Sequence, residues 1–77
     1  MNSATQCRSA RTLLGWSVSK VSRATSVSES AIDDFELERR QPSAITTDAI
    51  QRAFEAVGVV FLRQDDVQLR RDVPAAR

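Results

Sequence analysis

The stretch WSVSKVSRATSVSESAIDDFELERRQP, residues 16–42, decides the fold. Its apolar residues recur every three or four positions on both sides of a break at Ser26, and this period predicts two short helices. We expect the first helix over residues 18–25. The second follows Ser28, whose hydroxyl can cap the first backbone amides of a helix, and ends near residues 37–38. Two short helices joined by such a tight turn have the spacing of a helix-turn-helix.

Two further helices flank this pair. Ser3 can cap a helix that runs to about Leu14, because small apolar residues recur there every three or four positions. In the fourth helix we expect Thr46 or Thr47 to be the cap and the inner face to run from Ala49 to Val57. The sequence therefore predicts a domain with four helices.

The pattern changes period after Gly58, which is a strong helix stop signal. The β-prone run VVFL and the alternating run VQLR predict two short strands around a turn, a hairpin over residues 59–71. Because two strands alone are marginally stable in water, the hairpin must lie on helices one and four of its own chain or pair with a second chain. For pairing between chains, the candidate dimer contacts are Val59, Phe61, Leu62, Val67 and Leu69. The predicted fold class is mainly α, with four helices and a short C-terminal β-strand or β-hairpin.

Composition excludes several classes of protein. A chain of 77 residues predicts one domain, over residues 1–73, with a flexible tail at 74–77. One cysteine and no histidine exclude Cys/His zinc sites and histidine-dependent catalytic triads. We therefore expect no enzyme, no catalytic residue, no cofactor and no metal. Cys7 lies on the apolar face of the first helix, which favours a small core residue, with a redox thiol as the alternative.

Charge and hydropathy limit the location and the partners. No apolar run approaches the roughly 18 residues of a membrane-spanning helix. Residues 1–6 are polar and do not have the pattern of a signal peptide. We therefore expect a cytoplasmic location and no membrane partner. The net charge is only +1, so DNA binding would depend on where the arginines lie and not on their number.

The order of motifs resembles the XRE family, the helix-turn-helix regulators that include the lambda and 434 repressors and Cro. The resemblance covers about residues 4–62. It is carried by QCRSAR (6–11), LGWS (14–17), VSESAI (27–32), FE (35–36), RRQP (39–42) and AIQRAFEAVGVVFL (49–62). It implies a lambda-repressor-like bundle of short helices that binds operator DNA as a homodimer and usually represses transcription. It also favours pairing of the hairpin between chains.

The resemblance further implies roles for particular residues. Ser28 and the amide end of its helix would contact phosphate, and Arg39 and Arg40 would contact the DNA backbone. Arg11 and Glu36 match a pair that ties the first helix to the recognition helix. The groove-facing residues would be Glu29, Ser30, Asp33 and Asp34. The chemistry agrees in part, since a helix N-terminus binds phosphate well and arginines just beyond the helix can reach it. The alternative is that the two arginines only solvate a loop.

Ser26 and Val18 depart from the family pattern. Ser26 stands where relatives usually have glycine, and a residue other than glycine costs about 1–2 kcal/mol if its φ is positive. Val18 stands where a glutamine often binds phosphate, so that contact is expected to be lost.

The presumed recognition helix is also unusually acidic. Carboxylates can accept a hydrogen bond from cytosine N4, so Glu29 or Asp33 could read bases, and Ser30 is a further candidate for base contact. The alternative is that Asp33 and Asp34 are solvated or paired with the arginines that follow the helix. The sequence leaves both interpretations open.

Two functions follow from these patterns. The first is a sequence-specific, autoregulatory repressor that acts as a homodimer on a palindromic operator of a mobile element, phage or similar module. RNA polymerase is a further candidate partner because an acidic face would lie near the groove. The second is a protein-interaction module, such as an antitoxin or antiactivator, that kept the fold with weak or no DNA binding. The acidic helix and the near-zero net charge motivate this alternative.

Overall fold

A serine caps the start of each helix in the described part of the chain. In the computed structural model, which describes residues 3–62 and 66–69, each of these hydroxyls accepts a hydrogen bond from the backbone amide three residues further on. This bond satisfies one of the amides that the first turn of a helix leaves unpaired. The four capping residues are Ser3, Ser17, Ser28 and Ser43.

The described residues form four helices and a two-stranded hairpin. In chain order they are α1 (Ala4–Leu14), α2 (Val18–Thr25), α3 (Glu29–Glu36), α4 (Ala44–Ala56), β1 (Val59–Phe61) and β2 (Val67–Leu69). The predicted fold class is confirmed, and the predicted bounds of α2 agree with the structure. Within these ranges no helix combines the length and the apolar character needed to cross a bilayer. The predicted tail at 74–77 lies outside the described residues.

The predicted start of α4 is wrong. Ser43, not Thr46 or Thr47, caps the helix, and its hydroxyl oxygen lies 3.2 Å from the amide nitrogen of Thr46. Ser43 comes directly after Pro42, so α4 begins as soon as the proline no longer restricts the backbone. The predicted place of Val57 is also wrong, since it is the exposed residue that ends α4 and not part of its inner face.

The core lies between the helices and the hairpin, with Phe54 at its centre. The ring of Phe54 is fully buried, 5.8 Å from the ring of Trp16 and 6.2 Å from the ring of Phe61. Through Phe54, α4 therefore packs against both Trp16, just before α2, and the first strand. The other side chains with almost no exposed surface are Gln6, Cys7, Ala10, Val21, Ile32 and Ile50. The position of Cys7 agrees with its interpretation as a small core residue.

The hairpin folds onto its own chain. Strands β1 and β2 pair antiparallel, with Val59 opposite Leu69 and Phe61 opposite Val67; β1 contacts α4 and β2 contacts α1. Val59 is only 2% exposed, so its predicted role as a dimer contact is corrected to a role in the core. Phe61 and Val67 also pack partly against the core, while Leu62 and Leu69 remain exposed.

Gln6 attaches the hairpin to α1. Its buried side-chain amide donates hydrogen bonds to the backbone oxygen of Leu62, at 2.7 Å, and to that of Asp66, at 3.2 Å. These oxygens lie at the end of the hairpin just beyond the Phe61–Val67 pair, where Leu62 also donates its backbone N–H to Asp66. A single buried polar side chain thus sets where the hairpin lies on the first helix.

Candidate nucleic-acid interface

Side-chain hydrogen bonds hold the turn between α2 and α3. The Ser22 hydroxyl donates to the backbone oxygen of Val27 at 2.6 Å. The Thr25 hydroxyl donates to the oxygen of Val21 at 2.7 Å and accepts from the amide of Val27 at 3.2 Å. Ser26 completes the turn with φ 63° and ψ 19°, the left-handed conformation that glycine adopts most readily. The serine- and threonine-rich composition of α2 therefore fixes the angle at which α3 leaves it.

The α3 helix has a buried side and an exposed side. Ile32 and Phe35 point into the core. Glu29 and Ser30, in the first turn, are exposed, and the cap residue Ser28 before them is exposed as well. The structure thus brings three predicted DNA contacts together at the N-terminal end of α3. Because the Ser28 oxygen already accepts the Ala31 amide, its hydroxyl proton is the group left to donate to a ligand.

Glu36 anchors the other end of α3 on α1. Its two carboxylate oxygens each accept a hydrogen bond at 2.9 Å from the Arg11 guanidinium, one from Nε and one from Nη2. This bidentate geometry is the strong form of an arginine–carboxylate contact. The Arg8 guanidinium donates to the backbone oxygen of Glu36 at 2.7 Å. The pair expected from the family resemblance is therefore present, and Arg8 is an additional contact that the sequence did not indicate.

Cys7 belongs to the same cluster. Its thiol donates to a carboxylate oxygen of Glu36 at 3.4 Å. Burial, and then the negative charge of Glu36, raise the pKa of the Cys7 thiol well above its usual range. The hydrogen bond with Glu36 raises the pKa of Arg11 as well. Cys7 is therefore a protonated donor and not a reactive thiolate, which argues against the redox alternative.

The two arginines after α3 differ in their surroundings. The Arg39 guanidinium forms an ion pair with Asp34, with Nε 3.0 Å from the carboxylate oxygen. Arg40 is exposed and forms no ion pair within the described part of the chain. The backbone amides of both residues donate to the oxygen of Asp34, at 2.8 and 3.3 Å, and Glu38 turns the chain with φ 58°. Only Arg40 is thus immediately available to an anion.

The charge of the exposed α3 surface remains mixed. Among the described residues, Glu29, Asp33 and Glu38 form no ion pair, whereas Asp34 is neutralised by Arg39. Glu29 lies in the first turn, where the positive end of the helix dipole favours a carboxylate. A shallow groove of about 340 Å³ next to this surface is lined by Ser3, Ala4, Phe35, Glu38, Arg39, Arg40 and Gln41.

No group of three or more His, Cys, Asp or Glu side chains in the described ranges could hold a metal ion. No protein-family model matches the chain, and the search among curated proteins finds no match to it. The resemblance to the XRE family therefore stays a prediction from the sequence.

Proposed function

We propose that this chain is a sequence-specific, double-stranded DNA-binding regulator of the XRE type, with α3 as its recognition helix. The observation that carries the proposal is the way α3 is held. The α2–α3 turn fixes its start, the bidentate contact between Arg11 and Glu36 fixes its end, and its first turn remains exposed. An α-helix with its side chains is about 10–12 Å across, which suits a major groove about 12 Å wide.

Each end of α3 supplies a different contact in this proposal. The Ser28 hydroxyl and the first backbone amides of α3 bind one phosphate, because the helix dipole favours an anion there. Arg40 binds a phosphate beyond the other end of α3. Arg39 binds phosphate there only if its ion pair with Asp34 breaks. Between the two anchors, Ser30 and the Glu29 carboxylate read base edges, with cytosine N4 as the donor to Glu29.

The regulator acts in the cytoplasm as a homodimer on a palindromic operator, and autoregulatory repression is the role we propose for it. A single small module with few cations binds DNA weakly, and joining two modules raises the effective concentration of the second. A palindrome with half-sites about one helical turn apart is the operator that a two-fold dimer requires.

Selection of DNA from a random duplex library, followed by fluorescence anisotropy on the recovered sequences, tests the proposal. We expect an enriched motif that binds more tightly than about micromolar at physiological salt. Arg40→Ala should lower the salt slope of binding by about 0.9 per half-site, which is about 1.8 for a dimer on the full palindrome. Arg52→Ala, which removes an exposed arginine from α4, is the matched control and should leave the slope unchanged on a duplex that carries a single half-site. Failure to enrich any sequence would refute the proposal.

A protein-interaction module is the second candidate, and the ion pair between Asp34 and Arg39 favours it. This pair neutralises one of the two arginines beside α3 and leaves the surface acidic in balance. Such a surface suits a basic protein partner by charge complementarity. In that case the selection recovers no motif, and binding to random duplexes stays weak and has no sequence preference.

A further inference from the structure

Acidic and basic residues are segregated along the chain. Residues 1–28 contain three arginines, one lysine and no aspartate or glutamate, so the first acidic residue is Glu29. The α3 helix that begins there has four acidic residues and no basic one. Because DNA is a polyanion, a helix of this charge can enter its groove only if neighbouring cations offset the repulsion.

Two of the four cations in residues 1–28 are directed at α3 itself. The Arg11 guanidinium is paired with Glu36, and Arg8 donates to the backbone oxygen of the same residue. The other two, Lys20 and Arg23, are exposed on α2. Neither forms an ion pair with a residue that the structure describes. Within that part of the chain, α2 therefore presents two positive charges that no carboxylate neutralises.

Neutral partners hold both of these side chains in place. The ammonium nitrogen of Lys20 lies 5.4 Å from the centroid of the Trp16 ring, a cation–π contact. The Arg23 guanidinium donates to the hydroxyl of Ser19, one turn earlier, at 3.2 Å. Both contacts orient a cation without cancelling its charge. The two side chains therefore keep their attraction for an anion, unlike an arginine that is paired with a carboxylate.

The exposed cations that lack a carboxylate partner all adjoin α3. In the described ranges five lysine and arginine side chains are exposed, and two of them, Arg39 and Arg52, are paired with aspartates. The other three are Lys20 and Arg23 on α2, which precedes α3, and Arg40 in the loop that follows it. One exposed cation is ordinary on any protein surface. Unpaired cations before and after an acidic helix, and nowhere else in those ranges, favour a polyanion as the ligand.

We propose that Lys20 and Arg23 bind phosphates of duplex DNA beside the groove that α3 enters, and so offset the negative charge of α3. In a helix-turn-helix the first helix crosses the DNA backbone. The two residues lie three positions apart, so their side chains are neighbours on α2 and can contact the same stretch of backbone. This inference rests on the proposed DNA binding and adds the contacts that determine its strength.

Each phosphate contact makes a measurable contribution to the salt dependence of binding. Lys20→Gln and Arg23→Gln should each lower the salt slope by about 0.9 per half-site. When the salt is raised from about 50 to about 200 mM, the factor by which affinity falls should be roughly 3.5 times smaller for either variant than for the original chain. The preference for the selected operator over a random duplex should not change, because phosphate contacts carry no sequence information.

Fluorescence anisotropy at a series of salt concentrations tests the inference, on a duplex with one selected half-site and on a random duplex of the same length. Lys20→Arg and Arg23→Lys keep the charge and should keep the slope. Arg52→Gln removes an exposed cation from α4 and should keep the slope as well. Because all three side chains are exposed, circular dichroism should show the original fold in every variant.

The outcomes separate this inference from the proposed function. An enriched motif together with an unchanged slope in the double variant of Lys20→Gln and Arg23→Gln would overturn the inference alone. If selection enriches no motif but the double variant still loses slope on the random duplex, the proposed function fails and the phosphate contacts stand. A changed operator preference in the double variant would mean that these side chains read bases, which overturns their assignment to phosphate. A chain that binds no duplex even at about 50 mM salt would overturn both proposals.

Discussion

Ser26 lies in the turn between α2 and α3, in a backbone conformation that most residues avoid. Its φ of 63° costs an L-amino acid about 1–2 kcal/mol, whereas glycine adopts this conformation without that cost. Ser26→Gly should therefore raise the free energy of unfolding by about 0.5–1 kcal/mol, after the greater entropy of glycine in the unfolded chain is subtracted. Urea titration monitored by the fluorescence of Trp16 measures this change.

Ser26→Ala is the matched control because alanine keeps the strain and removes only the hydroxyl. Its stability should not exceed that of the original chain. An equal gain from alanine and glycine would mean that the hydroxyl, not the backbone, causes the strain.

Cys7 makes the stability of the protein depend on pH in alkaline solution. Its pKa is raised in the folded state, so above about pH 8.5 the thiol ionises in the unfolded chain first. The folded state then binds more protons than the unfolded state, and the free energy of unfolding should fall by about 1.4 kcal/mol per pH unit. This stability is fully present below about pH 8.5 and is lost as the pH rises towards the folded pKa.

Urea titrations at a series of alkaline pH values measure that slope. The chain has no tyrosine, and Lys20 is its only lysine, so few other groups ionise in this range. Cys7→Ala should remove most of the slope, whatever it does to the stability at neutral pH. A slope that persists in the alanine variant would contradict the assignment to Cys7.

At the scale of the element, the negative charge of α3 opposes its proposed binding to DNA. One of its carboxylates can be removed by substitution. Asp34 holds Arg39 at 3.0 Å. Asp34→Asn removes a negative charge next to the DNA and frees Arg39 to reach a phosphate. We expect tighter binding to the selected operator and a salt slope that is larger by about 0.9 per half-site.

Asp48→Asn is the control for this prediction, because it also frees an arginine, Arg52, but on α4. It should leave the affinity for a single half-site unchanged. If Asp34→Asn weakened binding to every sequence, Asp34 would be needed to position the loop rather than be an obstacle to phosphate contact.

The bounds of the elements show which features the sequence can predict. The bounds of α2 follow to the residue because its serine cap and its valine stripe are local signals. The start of α4 differs from the prediction because Ser43, Thr46 and Thr47 are all capable caps, and only the backbone after Pro42 decides among them. The turn at Glu38 is not predictable either, since glutamate has no preference for the positive φ it adopts there.

Non-local contacts are the least predictable part of the site. Arg8 and Glu36 lie 28 residues apart, and their contact joins a side chain to a backbone oxygen that any residue would offer. Val59 likewise has the pattern of a strand residue, and no local signal tells which chain its strand pairs with. The contact between Arg11 and Glu36 could be expected only from the family resemblance, because spacing alone does not bring α1 and α3 together.

At the scale of the whole molecule, Phe54 joins parts of the core that are distant in the chain. A domain of 77 residues is stable by only about 4–12 kcal/mol. Replacing a buried phenylalanine with alanine costs about 3–5 kcal/mol, so Phe54→Ala should remove a large share of that stability and clearly lower the midpoint of thermal unfolding. Phe54→Leu, which keeps most of the volume, should cost clearly less.

Thermal unfolding monitored by circular dichroism separates these two variants, with Leu13→Ala on the exposed side of α1 as the control. The control should change the free energy of unfolding by less than about 0.5 kcal/mol. A Phe54→Ala variant as stable as the control would mean that Trp16 and Phe61 close the cavity by themselves.

The hydrogen bonds of Gln6 have a consequence for how the protein is made. They join α1 to backbone oxygens 56 and 60 residues further along. A ribosome delivers α1 first, and Gln6 must remain solvated until residues 62 and 66 have left the exit tunnel. Closing so long a loop in a disordered chain would cost roughly 3–4 kcal/mol, so α2, α3 and α4 must pack before Gln6 can make its bonds. We therefore expect the docking of the hairpin onto the first helix to be the last step of folding.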